Sequence, residues 1–257
     1  MSLSDTKYSD TKPGIQLDKV MNQSETGSHI NNKDSKHDTS RGLESNDRET
    51  TYFSSRVSMS VAESFQIWID GVGGYRLLLA DQVMIGQAVP HSGVDVPILA
   101  DLSRRHAWIR RVGSDYVLDP LSPTSIGKQV ATQPTVLRDN NTIGLGRNVG
   151  LRFRKQHPLS SSAVLTMISR QRMEPACDAV VLMGESCILG PNTRNHIVCP
   201  KWQEDVVLFK KNGILQVKVK QNYLIQGRPV TGIQEIKEST SVQGEDFSFF
   251  LERVETS

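Results

Sequence analysis

The chain has 257 residues and carries 30 Lys+Arg against 28 Asp+Glu, a formal charge of +2, so its charge balance calls for no polyanionic partner such as nucleic acid. Aromatic residues are 6% and mean hydropathy is −0.36, low for a chain folded end to end, which implies a polar segment diluting a globular remainder. No stretch approaches the roughly 18 apolar residues that span a bilayer, the first ten residues hold no signal-peptide core, and three scattered cysteines argue against a disulfide framework. The expectation is a cytoplasmic protein without a membrane partner.

Residues 1–50 contain nine apolar side chains, with Tyr8 the one aromatic, against seven Lys+Arg, nine Asp+Glu and thirteen Ser+Thr. So little burial cannot offset the roughly 1–2 kcal/mol of backbone entropy lost per ordered residue, and residues 1–60 read as a disordered polar tail.

From Phe65 onward, short runs rich in Val, Ile, Leu and aromatics alternate with Gly, Pro, Asp and Asn, the pattern of an all-β sandwich. In chain order they are FQIWI (65–69), YRLLLA (75–80), QVMI (82–85), VPIL (96–99), HAWIRRV (106–112), YVLD (116–119), TIGL (142–145) and GLRFR (150–154). In HAWIRRV, Ala107, Ile109 and Val112 cannot all share a face with Trp108, so this strand is expected to be covered on both sides or bulged.

A second series follows: AVLTM (163–167), AVVLM (179–183), CILG (187–190), HIVC (196–199), DVVLFKK (205–211), ILQVK (214–218), GRPV (227–230) and FSFFLERV (247–254). Laid over the first, Ile85-Gly86 matches Leu189-Gly190, AWIRRVGSDYVLD matches VVLFKKNGILQVK, and GKQV (127–130) matches GRPV. An order of strands repeated at one domain length predicts two tandem copies of one fold, 64–155 and 162–254.

The stretch MIGQAV, DLSRRHAWI, YVLDP, SPTSIGKQV and NNTIGLGRNVGLRFR resembles the forkhead-associated (FHA) family. Ser103 and His106 match its Ser-x-x-His, with Arg104 in the basic place after the serine; Ile85 and Gly86 match the end of its third strand. Residues 162–254 are similar in layout alone, with Trp202–Asp205 (WQED) where the first copy has Ser103–His106, a degenerate copy. The resemblance implies tandem FHA-like β-sandwiches, the first binding phosphothreonine peptides through loops at one end.

The chemistry suits that role: a phosphothreonine brings about −1.5 to −2 charges, which a hydroxyl (Ser103) and cations (Arg104, Arg105) in one turn can hold. By the resemblance, His106 braces the loop and Gly86 sits at the strand end. Gln87 stands where the family has a phosphate-contacting Arg, and the family's loop Asn is replaced in Ser122–Gly127, where Thr124 or Ser125 supplies a shorter donor to the peptide main chain. Lys128 and Arg147 are expected to add to the same positive end.

Other motifs lead away from catalysis. Ser103 and His106, three apart with no nucleophile elbow, make no triad. Gly144, Gly146 and Gly150 run into a strand and read as a hairpin turn, and Cys177, Cys187, His196 and Cys199 fit no common zinc spacing. The expectation is a non-enzymatic adaptor needing no cofactor, whose partners are a phosphorylated kinase substrate or the kinase itself. A tail threonine (Thr6, Thr11, Thr26, Thr39 or Thr50), once phosphorylated, is a candidate ligand in cis. The alternative is a phospho-independent scaffold built from two degenerate copies.

Overall fold

Among the described residues every regular element is a strand, as the alternation in the sequence predicts. The computed structural model describes residues 63–157 and 160–254, all within the unit Arg56–Ser257. The expected tail, 1–60, lies outside the described residues.

A hairpin opens the fold: β1 (Ser64–Ile69) pairs with β2 (Gly73–Leu78) across a turn that holds Gly71 at φ +68°. Next come β3 (Gln82–Gln87), β4 (Val96–Leu99), β5 (Ala107–Val112), β6 (Asp115–Pro120), β7 (Thr124–Ile126), β8 (Gln129–Ala131), β9 (Thr135–Leu137), β10 (Thr142–Leu145) and β11 (Val149–Arg154). The second half contributes β12 (Ala163–Met167), β13 (Arg172–Met173), β14 (Ala179–Leu182), β15 (Ser186–Gly190), β16 (Ile197–Val198) and β17 (Val206–Lys211). It closes with β18 (Ile214–Lys218), β19 (Tyr223–Ile225), β20 (Arg228–Val230), β21 (Ile233–Glu235), β22 (Ser239–Gln243) and β23 (Ser248–Val254).

Twelve strands form one sheet in the order β20-β19-β22-β23-β1-β2-β14-β12-β11-β10-β7-β8. A six-stranded sheet, β13-β4-β3-β5-β6-β9, and a five-stranded sheet, β16-β15-β17-β18-β21, complete the fold. The central strands feed two cores by alternation. On β14, Val180 and Leu182 enter the core under the six-stranded sheet, while Ala179 and Val181 enter the core under the five-stranded sheet. On β2, Leu78 and Leu77 divide the same way. Successive side chains of a strand point to opposite faces, so the two smaller sheets cover opposite faces of the long one.

The cores therefore divide otherwise than at the expected 64–155 and 162–254. The hairpin β1–β2 pairs with β23, and its Phe65, Ile67 and Ile69 pack with Cys187, Leu208, Phe249 and Leu251. The first core is closed instead by β12 and β14, whose Ala163, Leu165, Val180 and Leu182 pack with Ile85, Ile109, Leu145 and Phe153. Apart from β2, β12 and β14, which feed both cores, the strands of the first core lie between β3 and β13, and those of the second are β1 and β15–β23. The junction is the parallel pair β2–β14. Across it, buried Arg76 of β2 has its charge opposed by Asp95 of the first core, while burial pulls the Arg76 pKa down. The Tyr116 hydroxyl on β6 donates to the carbonyls of Ser161 and Leu182, fastening the β11–β12 connection and β14 to the first core.

Of the two expectations for HAWIRRV, covered on both faces or bulged, the bulge is absent and the second face is partly covered. β5 pairs without interruption to β3 and β6, Ala107 and Ile109 face the core, Val112 is exposed at the strand end, and Trp108 on the other face is half-buried.

Candidate functional site

Three loops of the first sandwich meet at one end: 100–106 between β4 and β5, 121–123 between β6 and β7, and the turn 146–148 between β10 and β11. His106 and the Pro123 carbonyl fasten them together. The buried imidazole faces the Pro123 carbonyl from Nε2 at 3.0 Å, so Nε2 carries the proton and donates, and the Gly146 N–H donates to the same oxygen at 3.0 Å. The His106 backbone N–H donates to the Ile85 carbonyl (2.8 Å) and its carbonyl accepts from Leu121 N–H (2.9 Å). Desolvation lowers the His106 pKa, against the opposite pull of the Pro123 carbonyl; among the described residues Nδ1 is buried without a partner.

Gly86 sets the approach of the loop to the sheet. A Cβ there would overlap the Arg104 carbonyl oxygen, so only glycine allows the 103–104 backbone to cross β3, where Gln87 N–H donates to the Ser103 carbonyl (3.1 Å). The half-buried Gln87 thus holds the turn through its main chain.

At the exposed crest, the Ser122 hydroxyl donates to the Ser103 hydroxyl oxygen at 2.7 Å. Beside them Arg104 is exposed and, among the described residues, its guanidinium makes no hydrogen bond or ion pair. Arg105 is turned aside, its guanidinium 5.2 Å from the centre of the Trp108 ring. Arg147, in the turn that also holds Gly146 at φ +56°, is exposed at the same end.

Thr124 and Ser125 are placed differently from Ser103. Thr124 is buried and its hydroxyl donates to the Ser122 carbonyl at 2.8 Å; the Ser125 hydroxyl lies against Gly144, where a Cβ would meet it at 2.5 Å. Ser122, passed over by sequence reasoning, is the hydroxyl that reaches the crest. The signal available was its place directly before Pro123 in the turn. Lys128 lies at the opposite end of β7: its neighbour Gly127 donates to Thr142 O, at the end of β10 away from Gly146. GLGRNVG is a hairpin turn, β10 pairing directly with β11.

The second core carries another set of residues in the corresponding register. Leu189 pairs with Val206 as Ile85 pairs with Ala107, which puts Gly190 at the place of Gly86, Asp205 at that of His106 and Trp202 at that of Ser103. Asp205 Oδ1 accepts from Asn195 Nδ2 (2.7 Å), and Trp202, 4% exposed, packs on Phe247 and Phe249. An indole sits inward where the first core turns a hydroxyl outward.

The chain is similar to a solved structure named Rv0020c_FHA. Identity is 26% over 35% of this chain and 90% of that chain, with a TM-score of 0.24. No protein-family model and no curated protein matches.

Elsewhere, Ser160 Oγ and His196 Nε2 lie 2.9 Å apart, the spacing of a nucleophile and its base. His196 Nδ1, however, accepts the Ile188 N–H at 3.0 Å, so the neutral ring bears its proton on Nε2 and donates to the serine. That pair is a structural bond, and burial pulls the His196 pKa down to about 4. Among the described residues, no group of three His, Cys, Asp or Glu side chains is arranged to hold a metal ion, and no helix is long and apolar enough to cross a membrane. Cys187 and Cys199 are buried, burial raising both thiol pKa values, Cys199 to about 12. The tail threonines lie outside the described residues.

Proposed function

We propose that this chain is a non-enzymatic adaptor whose first sandwich receives phosphothreonine-containing peptides of Ser/Thr kinase signalling, the kinase or its substrates. One observation carries the reading: two hydroxyls 2.7 Å apart, Ser103 and Ser122, at the crest of a loop pinned by His106 and Gly86, with exposed Arg104 next in the chain to Ser103. A phosphate has acceptor oxygens and no donor at full ionisation, so it matches a site presenting hydroxyl hydrogens and a guanidinium fork. Ser122 supplies at the crest what Thr124, buried, does not. Arg104, next to Ser103 in the chain, is a cation with no ion pair among the described residues, and Gln87 is neutral. The same reading extends to a phosphorylated threonine of the tail as a ligand in cis or on a neighbouring molecule.

Titration calorimetry on the full chain, with a phosphothreonine peptide and its unphosphorylated twin, tests this. The phosphorylated form binds and its twin does not; Ser103→Ala and Arg104→Gln each weaken binding by roughly ten- to hundredfold, the loss of one charge-assisted bond. Equal affinities for the two peptides, with both variants indifferent, establish the phospho-independent scaffold instead.

A further inference from the structure

Sequence order hides a second basic segment at the same end of the first sandwich. The connection from β12 to β13 carries Met167-Ile168-Ser169-Arg170-Gln171-Arg172, and three contacts fix where it runs. Ile168 N–H donates to the Gly150 carbonyl (2.9 Å), Ser169 Oγ accepts from Gly150 N–H (3.0 Å), and Arg172 pairs with Leu99. Gly150 is two residues beyond the turn 146–148, and Leu99 is the last residue of β4, four before Ser103. Exposed Arg170 and Arg172 thus join Arg104 and Arg147 at one end, and among the described residues neither makes an ion pair. Asp101 and Glu174 are the carboxylates of the same segments, both exposed.

Next to Arg172 opens a cleft of about 340 Å³, between β13 and the outer face of the β1–β2 hairpin. Trp68, Met167 and Met173 give it an apolar wall; the Trp68 ring lies over Gly74, where a Cβ would meet it at 2.5 Å, and remains 46% exposed. Gln171 lines the cleft, and its Oε1 is buried with no hydrogen-bond partner. A buried acceptor left unpaired costs free energy that a ligand N–H would recover. Asp178, also in the lining, has one carboxylate oxygen engaged by the Gly74 N–H (2.9 Å).

We propose that this cleft is a second subsite of the phosphothreonine receptor, taking an acidic flank of the same peptide. Resting on the reading of Ser103 and Arg104 given above, it assigns Arg172 and Arg170 as the cations facing the flank carboxylates. Gln171 Oε1 accepts from the peptide main chain, and Trp68 packs on the flank. The four residues from Leu99, the partner of Arg172, to Ser103 span at most about 14 Å, so the acidic residues belong a few positions from the phosphothreonine. The first sandwich owns only part of this subsite: Trp68 comes from the hairpin that completes the second core, so the receptor needs both cores assembled.

The test uses the full chain and three short peptides: phosphothreonine flanked by Asp, phosphothreonine flanked by Asn, and unphosphorylated threonine flanked by Asp. Affinities are read by calorimetry and by tryptophan fluorescence. Wild type prefers the Asp-flanked phosphopeptide by about tenfold, the worth of one charge-assisted contact. In the Arg170→Gln/Arg172→Gln double variant that preference falls below about twofold while the Asn-flanked phosphopeptide is held as before. The fluorescence change on binding the acidic flank disappears in Trp68→Phe. A preference unchanged in the double variant, or both phosphopeptides weakened equally, overturns the subsite. Binding of the unphosphorylated acidic peptide that depends on Arg172 but not on Ser103 keeps the subsite while the phosphothreonine reading fails. No binding of any peptide removes both.

Discussion

His106 and His196 show how one residue type serves as a brace in either core. Burial lowers the pKa of both rings, and in each a facing backbone group fixes which nitrogen carries the proton: a carbonyl for His106, an N–H for His196. Protonating His196 would place a hydrogen on Nδ1 against the Ile188 N–H. Its pKa is lowered from 6.5 to about 4, so the folded state binds fewer protons than the unfolded one. The stabilisation is complete above the ordinary histidine range and is lost as pH falls from about 6.5 through about 4, worth about 3 kcal/mol. Urea midpoints across that range should show this slope in wild type and a flatter one in His196→Asn, which keeps an acceptor but does not titrate; parallel curves would exclude His196 as its source. At this scale Ser103, His106 and Gly86 are legible in the sequence, since they lie in short-range motifs. Ser122 is not, because its meeting with Ser103 depends on two loops that only the sheet brings together.

Among the elements, the strands themselves are the easiest part to read. Alternation of apolar and polar residues is enough to mark FQIWI, HAWIRRV and GLRFR as strands, and the turn residues between them as breaks. Partnership is harder. A hairpin such as β1–β2 has the same pattern whichever core it completes, and β13, two residues long, has no pattern at all. The core that contains the Ser103 loop is closed by β12 and β14, so a fragment ending at residue 155 lacks Ala163, Leu165, Met173, Val180 and Leu182. Five missing core side chains exceed what a domain of about 100 residues tolerates, given roughly 1.5–3 kcal/mol for each large one buried. Expressed alone, 64–155 is expected to show a collapsed amide spectrum, whereas 80–184, which carries β3 to β14, gives dispersed resonances and a cooperative denaturant transition. Dispersed resonances from 64–155 would contradict this pairing.

On the scale of the whole molecule, the two cores share one sheet and cover its opposite faces, with β2 and β14 buried on both sides. The strands β3-β5-β6 and β15-β17-β18 stand in the same order within their sheets, and nothing in the sequence announces the interleaving of the cores. The interleaving has a structural consequence: Trp68 from the β1–β2 hairpin and Arg172 from β13 line a single cleft. The central claim is that this one end of the first sandwich receives the phosphate. Amide chemical-shift mapping on the full chain, titrated with a phosphothreonine peptide, tests it most directly. The largest changes should fall on 101–106, 121–123 and 146–148, and vanish with the unphosphorylated peptide. Changes centred on the Trp202 loop or on 127–130, or identical changes with both peptides, would contradict it.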